Sequence, residues 1–204
     1  MKVLHSTQLD LLRHGECEGG AIFRGSSDVK LLPEGLAKMQ RRCRELGEAW
    51  DLIISSPLQR CREFATRWSR QHNIELQIEN ELQEIHFGEW EGQQIDTLWQ
   101  QDRQRLQAWS LNPEAQTAPG GEAIHEVHAR VKRVLTRIEE SQRGKKILLV
   151  IHGGIIRVAL AEFLGMPCAA INRIDVPYAS LSRLAIYHTD QGTSKKLLGH
   201  NFVN

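Results

Sequence analysis

Ile147-Leu148-Leu149-Val150-Ile151 is an unbroken aliphatic run that stops at His152-Gly153-Gly154. Five apolar residues without alternation read as a strand buried on both faces, as in a parallel sheet covered by helices. Residues 155–161, almost entirely apolar, then predict a buried helix. Working outward, Leu9-Asp10-Leu11-Leu12, Leu52-Ile53-Ile54-Ser55 and Leu184-Ala185-Ile186-Tyr187 are further short strand candidates. Between them apolar residues recur at steps of three or four: Leu36, Met39, Cys43, Leu46 and Trp50; Leu58, Cys61, Phe64 and Trp68; Ile124, Val127, Val131, Val134 and Ile138. That spacing predicts amphipathic helices. Strand–helix alternation implies an α/β fold: a mostly parallel central sheet with helices on both faces.

The stretch 84–121 breaks this rhythm with Trp90, Trp99, Trp109, several Gln and the turn Pro119-Gly120-Gly121. It reads as a helical lid or insertion over the C-terminal edge of the sheet, inside a single domain spanning residues 1–204. The 204 residues, 41% of them hydrophobic, suffice for a buried core without a metal or disulfide staple. The net charge of +1 comes from 26 Lys and Arg against 25 Asp and Glu, which argues against a nucleic-acid or anionic-membrane binder. Any anion must therefore be gripped by a local cluster. No apolar run approaches the ~20 residues of a membrane span, and the first residues lack the apolar core of a secretory signal. The four scattered cysteines (Cys17, Cys43, Cys61, Cys168) read as free thiols, and a cytoplasmic location is expected.

In open α/β sheets ligands bind at the carboxyl ends of the strands. The first strand runs into Arg13-His14-Gly15-Glu16, placing a guanidinium and an imidazole at that edge. After the second come Ser55-Ser56-Pro57-Leu58-Gln59-Arg60. Here Ser56 is a natural N-cap and Pro57 a natural first helical residue, which leaves Arg60 in the first turn. A cation there opposes the helix dipole, a hint of function. His152 is a polar ring between two hydrophobic runs and needs a partner. The segment from Glu81 to Gly92 is dense in acids and aromatics, and a carboxyl beside Phe87 and Trp90 is poised as a general acid. Taken singly, each residue also reads as a solvated or core side chain. Jointly, two His, two Arg and one Glu at one sheet edge suit phosphoryl transfer. Guanidiniums grip phosphoryl oxygens bidentately, an imidazole accepts the phosphoryl group, and a second imidazole donates to the developing charge.

Leu11-Leu12-Arg13-His14-Gly15-Glu16, Ser55-Ser56-Pro57-Leu58-Gln59-Arg60-Cys61, Glu84 with Phe87-Gly88-Glu89-Trp90-Glu91-Gly92, Pro119-Gly120-Gly121-Glu122 and His152-Gly153-Gly154 stand in the order found in the histidine phosphatase superfamily, which includes the phosphoglycerate mutases. The chain resembles that superfamily along nearly its whole length, which implies a phosphoglycerate mutase-like fold. By the resemblance His14 becomes phosphohistidine; Glu84 is the proton donor; His152 joins the catalytic group. Arg13, Arg60 and Gly153 bind the phosphate. Arg24 and Gly25 bind the rest of the substrate, with Arg24 reaching its phosphate or sugar and the tryptophan-rich insertion covering an aromatic base. No metal or other cofactor is implied, because arginines supply the positive charge. The implied partner is a small phosphorylated metabolite, with no nucleic acid and no membrane, and a homodimer is compatible with it. The usual Thr and Asn after the signature are replaced by Cys17-Glu18-Gly19-Gly20, so no role is carried over to that loop; Cys17 beside the nucleophile is at most an oxidation-sensitive neighbour.

Within the superfamily, Glu18-Gly19-Gly20 with Phe23-Arg24-Gly25-Ser26, the Phe87 to Gly92 segment and Leu164-Gly165-Met166-Pro167 resemble the α-ribazole-5′-phosphate phosphatases of cobalamin nucleotide-loop assembly. The mutases carry a longer insertion than the 68 residues separating Glu84 from His152, so the resemblance implies a phosphatase. Broad-specificity sugar or metabolite phosphatases, mutases and a non-catalytic phospho-ligand module stay as alternatives. A metal site on His125 and His128 lacks a third ligand nearby.

Overall fold

The computed structural model describes residues 2–47 and 49–201. Strands β1 (Val3–Arg13), β2 (Leu52–Ser55), β3 (Glu75–Ile78), β4 (Lys146–Ile151), β5 (Leu181–Thr189) and β6 (Gly192–Gly199) form one sheet, ordered β3-β2-β4-β1-β5-β6. The pairs β2–β3, β2–β4 and β1–β4 are parallel, while β5 runs antiparallel to β1 and β6 antiparallel to β5. The helices are α1 (Pro33–Leu46), α2 (Gln59–His72), α3 (Ile95–Gln101), α4 (Arg103–Leu111), α5 (Ile124–Ser141) and α6 (Gly153–Leu164).

Alternate side chains of the central strands enter two cores. Leu12, Ile53, Leu148 and Val150 pack with Met39 and Cys43 of α1 and Phe64 and Trp68 of α2. Leu9, Leu11, Ile54, Ile147, Leu149 and Ile151 pack with Val127 and Val131 of α5 and Ile155 and Leu160 of α6 on the opposite face. Every residue of β4 after Lys146 is buried, which is why its sequence shows no polar alternation. The fold is thus the mostly parallel α/β sheet with helices on both faces.

Three details depart from the sequence reading. Edge strands β3 and β6 are not among the sequence-predicted strands: β3 offers only the brief alternation Glu75-Leu76-Gln77-Ile78, β6 bears Lys195 and Lys196, and most residues of both face solvent. Helix α1 ends at Leu46, closed by Gly47 in the left-handed conformation (φ 60°) with its N–H on the Arg44 carbonyl, so Trp50 reaches the core from beyond the helix. Helix α2 starts at Gln59, two residues later than Pro57 suggested. Leu58 is still extended, and Ser56 accepts only a 3.3 Å bond from Leu58 N while its hydroxyl serves another partner. Residues 84–121 contain a 3-10 turn, Gly88–Trp90, then α3 and α4. Among the described residues, no helix is long and apolar enough to cross a membrane.

Candidate active site

Three adjacent parallel strands end together. β1 delivers Arg13 and His14, β2 delivers Ser56, and β4 delivers His152. Their backbones stay in register past the sheet, with His14 N on the Ile151 carbonyl (3.0 Å) and Ser56 N on the Val150 carbonyl (3.1 Å). His14 is 3% exposed and His152 fully buried, with ring centroids 5.3 Å apart, edge to face. The sequence reading that these far-separated histidines meet at one edge is matched by this placement.

His14 Nδ1 lies 2.8 Å from the carbonyl oxygen of its neighbour Gly15. A carbonyl can only accept, so Nδ1 carries the proton and Nε2 keeps its lone pair. Burial first, and then the guanidiniums of Arg60 and Arg13, hold His14 well below the ordinary histidine pKa. At neutral pH it is an uncharged imidazole with one free nitrogen, as a nucleophile requires.

His152 is oriented from both sides. Arg60 Nε donates to its Nδ1 (3.3 Å), so its Nε2–H donates to Ser56 Oγ (2.7 Å). This is the use of Ser56 that capping would have forgone. Burial, then Arg60 and His14, also hold His152 well below the usual range. Arg60, fully buried, donates its two terminal nitrogens to the Ser27 and Gly25 carbonyls, each at 2.7 Å. First-turn placement on α2 thus brings Nε to His152 at the strand ends and turns the terminal nitrogens onto the backbone of the loop before α1.

A cavity of about 250 Å³ opens over His14. Its polar wall holds Arg13, Arg24, Arg60 and Arg157 around a single carboxylate, Glu84; its other wall is Ile22, Phe23, Phe87, Ile95, Trp109 and Ile171. Glu84 Oε2 accepts from Gly154 N (3.2 Å) and Oε1 from Ile85 N (3.0 Å), seating the carboxylate on the N-terminus of α6. A Cβ at Gly154 would stand 2.5 Å from Glu84 Oε1, so a side chain there would displace the carboxylate from its seat. Gly153 lies against the Arg13 guanidinium, 3.2 Å from Nε for a built Cβ. Burial lowers the pKa of Arg13 and of Arg157, the electrostatic signature of guanidiniums held away from water.

Not every residue stands where its implied role would put it. His152 is not among the residues lining the cavity and sits behind His14 and Arg60. Arg24 does line it, yet its NH2 nitrogen is spent on the Cys17, Glu18 and Gly20 carbonyls, fastening the loop that departs from the family pattern. Gly25 contributes its carbonyl to Arg60 and adopts φ +52°, with Glu91 occupying the space a side chain would need. Glu91 joins the two motifs that flank the cavity. Burial alone would raise its pKa, but hydrogen bonds from Ser26, Ser27 and Phe87 hold it below the ordinary carboxylate value. Cys17 Sγ lies 3.4 Å from His14 Nδ1, and burial pushes its thiol pKa up, away from the reactive thiolate. All four cysteines are free. His128 is engaged with Glu162 at 2.6 Å.

Arg157 and Tyr178 were missed from the sequence. Arg157 did leave a signal: it is the one charge in the apolar stretch 155–161. One turn along α6 from Gly153, it faces Glu84, the charge acting on it most strongly. Tyr178, in the loop before β5, left none.

A model of the histidine phosphatase superfamily (branch 1) matches residues 9–197, and the chain belongs to this superfamily. Over 167 residues, 80% of this chain and 82% of the relative, it is 30% identical to an adenosylcobalamin/alpha-ribazole phosphatase of Escherichia coli (strain K12). It is also 30% identical to "Probable phosphoglycerate mutase GpmB" of Salmonella paratyphi C (strain RKS4594), over 87% of this chain and 84% of that one. Among solved structures, the alpha-ribazole phosphatase from Shigella flexneri aligns with a TM-score of 0.79 at 26% identity, covering 97% of this chain and 98% of that one. Mycobacterial glucosyl-3-phosphoglycerate phosphatase aligns at 0.85 and 24% identity over 95% and 98% of the two chains, a likeness of fold alone.

Proposed function

We propose that this protein is a phosphomonoester hydrolase that works through phosphohistidine at His14, and that its substrate is α-ribazole-5′-phosphate. The observation that carries the chemistry is the Gly15 carbonyl on His14 Nδ1, which leaves Nε2 free at the floor of a cavity with four guanidiniums. Nε2 attacks phosphorus, the P–O bond to the alcohol breaks, and Glu84 delivers a proton to the departing oxygen. Water then attacks phosphorus, Glu84 takes its proton, the P–N bond breaks, and phosphate leaves. Arg13 and Arg60 offset the charge on the transferring group, the task a metal performs elsewhere. His152 holds Arg60 and borders the His14 ring, so its part in this reading is to orient the pair.

The apolar wall supports the finer choice. Phe23, Phe87 and Trp109 form an edge-to-face cluster with centroids 5.0–6.0 Å apart, which suits a flat aromatic alcohol such as a benzimidazole riboside and offers little to a carboxylate. The name of the Escherichia coli relative points the same way. Specificity constants for α-ribazole phosphate, 3-phosphoglycerate and sugar phosphates decide it, with α-ribazole phosphate expected highest. A preference for phosphoglycerate, or mutase turnover, would overturn the substrate assignment. Residues 84–121 are proposed as a lid of the same domain, which predicts protection of that segment from proteolysis by bound vanadate.

A further inference from the structure

Tyr178 sits at the centre of the cavity's cations. The Arg13 guanidinium carbon lies 3.9 Å above its ring centroid, Arg24 donates to its hydroxyl at 2.9 Å, and its ring centroid is 5.6 Å from that of His14. A guanidinium over a phenol face is held by the ring quadrupole. The neighbouring backbone serves the same cluster: the Val176 carbonyl accepts from Arg13 and the Ile174 carbonyl from Arg157. The Asp175 carbonyl between them is tied down by His200 and Asn201, each at 2.7 Å. Residues 174–178 therefore support three of the four cavity arginines.

A phenol hydroxyl has one donor as well as acceptor capacity. Arg24 uses a lone pair of Tyr178 Oη, and among the described residues nothing accepts its proton. Tyr178 lines the cavity, and Arg13 Nε and Arg24 Nε are buried there without partners among the described residues. Buried donors left open beside a nucleophile are waiting for an acceptor.

We infer that Tyr178 binds the phosphoryl group directly, its O–H oriented by Arg24 and donated to a phosphoryl oxygen, while its ring fixes Arg13 for the same anion. This deepens the phosphatase reading and rests on it. Tyr178→Phe keeps the ring beneath Arg13 and removes the donor; Tyr178→Leu removes both supports. Inorganic phosphate affinity, measured by calorimetry, is expected to fall roughly tenfold or more in Tyr178→Phe, as for one hydrogen bond to a charged group. Its melting temperature should fall by a few degrees at most, for the Arg24 bond lost with the hydroxyl, and a further loss of affinity is expected in Tyr178→Leu. Phosphate affinity in Tyr178→Phe within twofold of wild type would overturn the assignment. The binding readout does not need turnover. A wild type that binds phosphate but hydrolyses no ester defeats the phosphatase reading, and Tyr178 is still judged by the affinity ratio.

Discussion

Asp10 and Arg13 lie three residues apart on the same strand, and both are removed from most of the solvent, but their charges are treated in opposite ways. Asp10, fully buried, is enclosed by donors: Arg183, its register partner on β5, reaches both oxygens at 2.8 and 2.9 Å, and Trp50 Nε1 adds a third bond at 2.9 Å. Among the described residues, Arg13 has one carbonyl, one ring and a buried Nε with no partner, and it stands with three other guanidiniums and a single carboxylate. A buried charge with its partners complete is a structural lock; guanidiniums crowded around one carboxylate, with the Nε of Arg13 and of Arg24 lacking partners among the described residues, form a receptor suited to an anion. The net charge of +1 conceals this, because the imbalance is local.

Substitutions on the two sides of the contrast should therefore fail differently. The largest effect is expected for His14→Ala, which removes the proposed nucleophile at the receptor. Turnover of p-nitrophenyl phosphate should drop roughly 10⁴-fold or more, with no acid-labile phosphoenzyme on labelling and little change in urea midpoint. Retained turnover would show that the cluster works without a covalent step. Next is Arg183→Met at the lock: stability should fall by about 3–5 kcal/mol, since buried Asp10 would lose the guanidinium that reaches both its oxygens. Specific activity of the folded fraction should stay near wild type. Arg157→Met should do the reverse, lowering the specificity constant roughly tenfold while denaturation shifts by less than about 1 kcal/mol, because among the described residues this guanidinium forms no salt bridge and feels Glu84 and Asp175 only at longer range. If Arg157→Met unfolds the protein, the distinction between lock and receptor fails at that residue.

The smallest effect concerns pH. His14 and His152 have folded pKa values depressed by burial and by Arg60. Below the unfolded value of ~6.5 the unfolded chain takes up protons that the folded protein refuses, so their contribution is complete above that pH and is lost as pH falls. Between pH 7 and 6 the two together should cost about 1 kcal/mol, read from urea midpoints in a phosphate-free buffer; a midpoint that rises on acidification would mean the rings protonate in the folded state.

How much was legible beforehand depends on how local the signal is. β4 announces itself, since a strand buried on both faces must be aliphatic throughout, whereas β3 and β6 lie at edges where polar residues are tolerated. Arg13, His14, Arg60 and His152 could be named because each sits beside a strand end or helix start with a recognisable local pattern, whereas Glu84 was picked out of its acid-rich segment only by the family resemblance. Ser56 was read as a cap because capping is the local use of a serine before a helix; its bond to His152, 96 residues away, has no local trace. Tyr178 and Asp10 were silent for the same reason, their partners being Arg24, 154 residues distant, and Arg183, 173 residues distant.

The order of hydrophobic periods determined, with no coordinates, that the chain is α/β, and the motifs that interrupt them carried the resemblance to the histidine phosphatase superfamily. Tertiary structure alone decided the protonated nitrogen of His14, the placing of His152 behind the cavity wall, and the assembly of Arg157 and Tyr178 beside the predicted arginines. Periodicity reports which face of an element is buried, and this follows from neighbours a few residues away. Tautomers, unpaired donors and cavity walls depend on which atoms meet across the fold, and that is settled only when the strands take their order in the sheet.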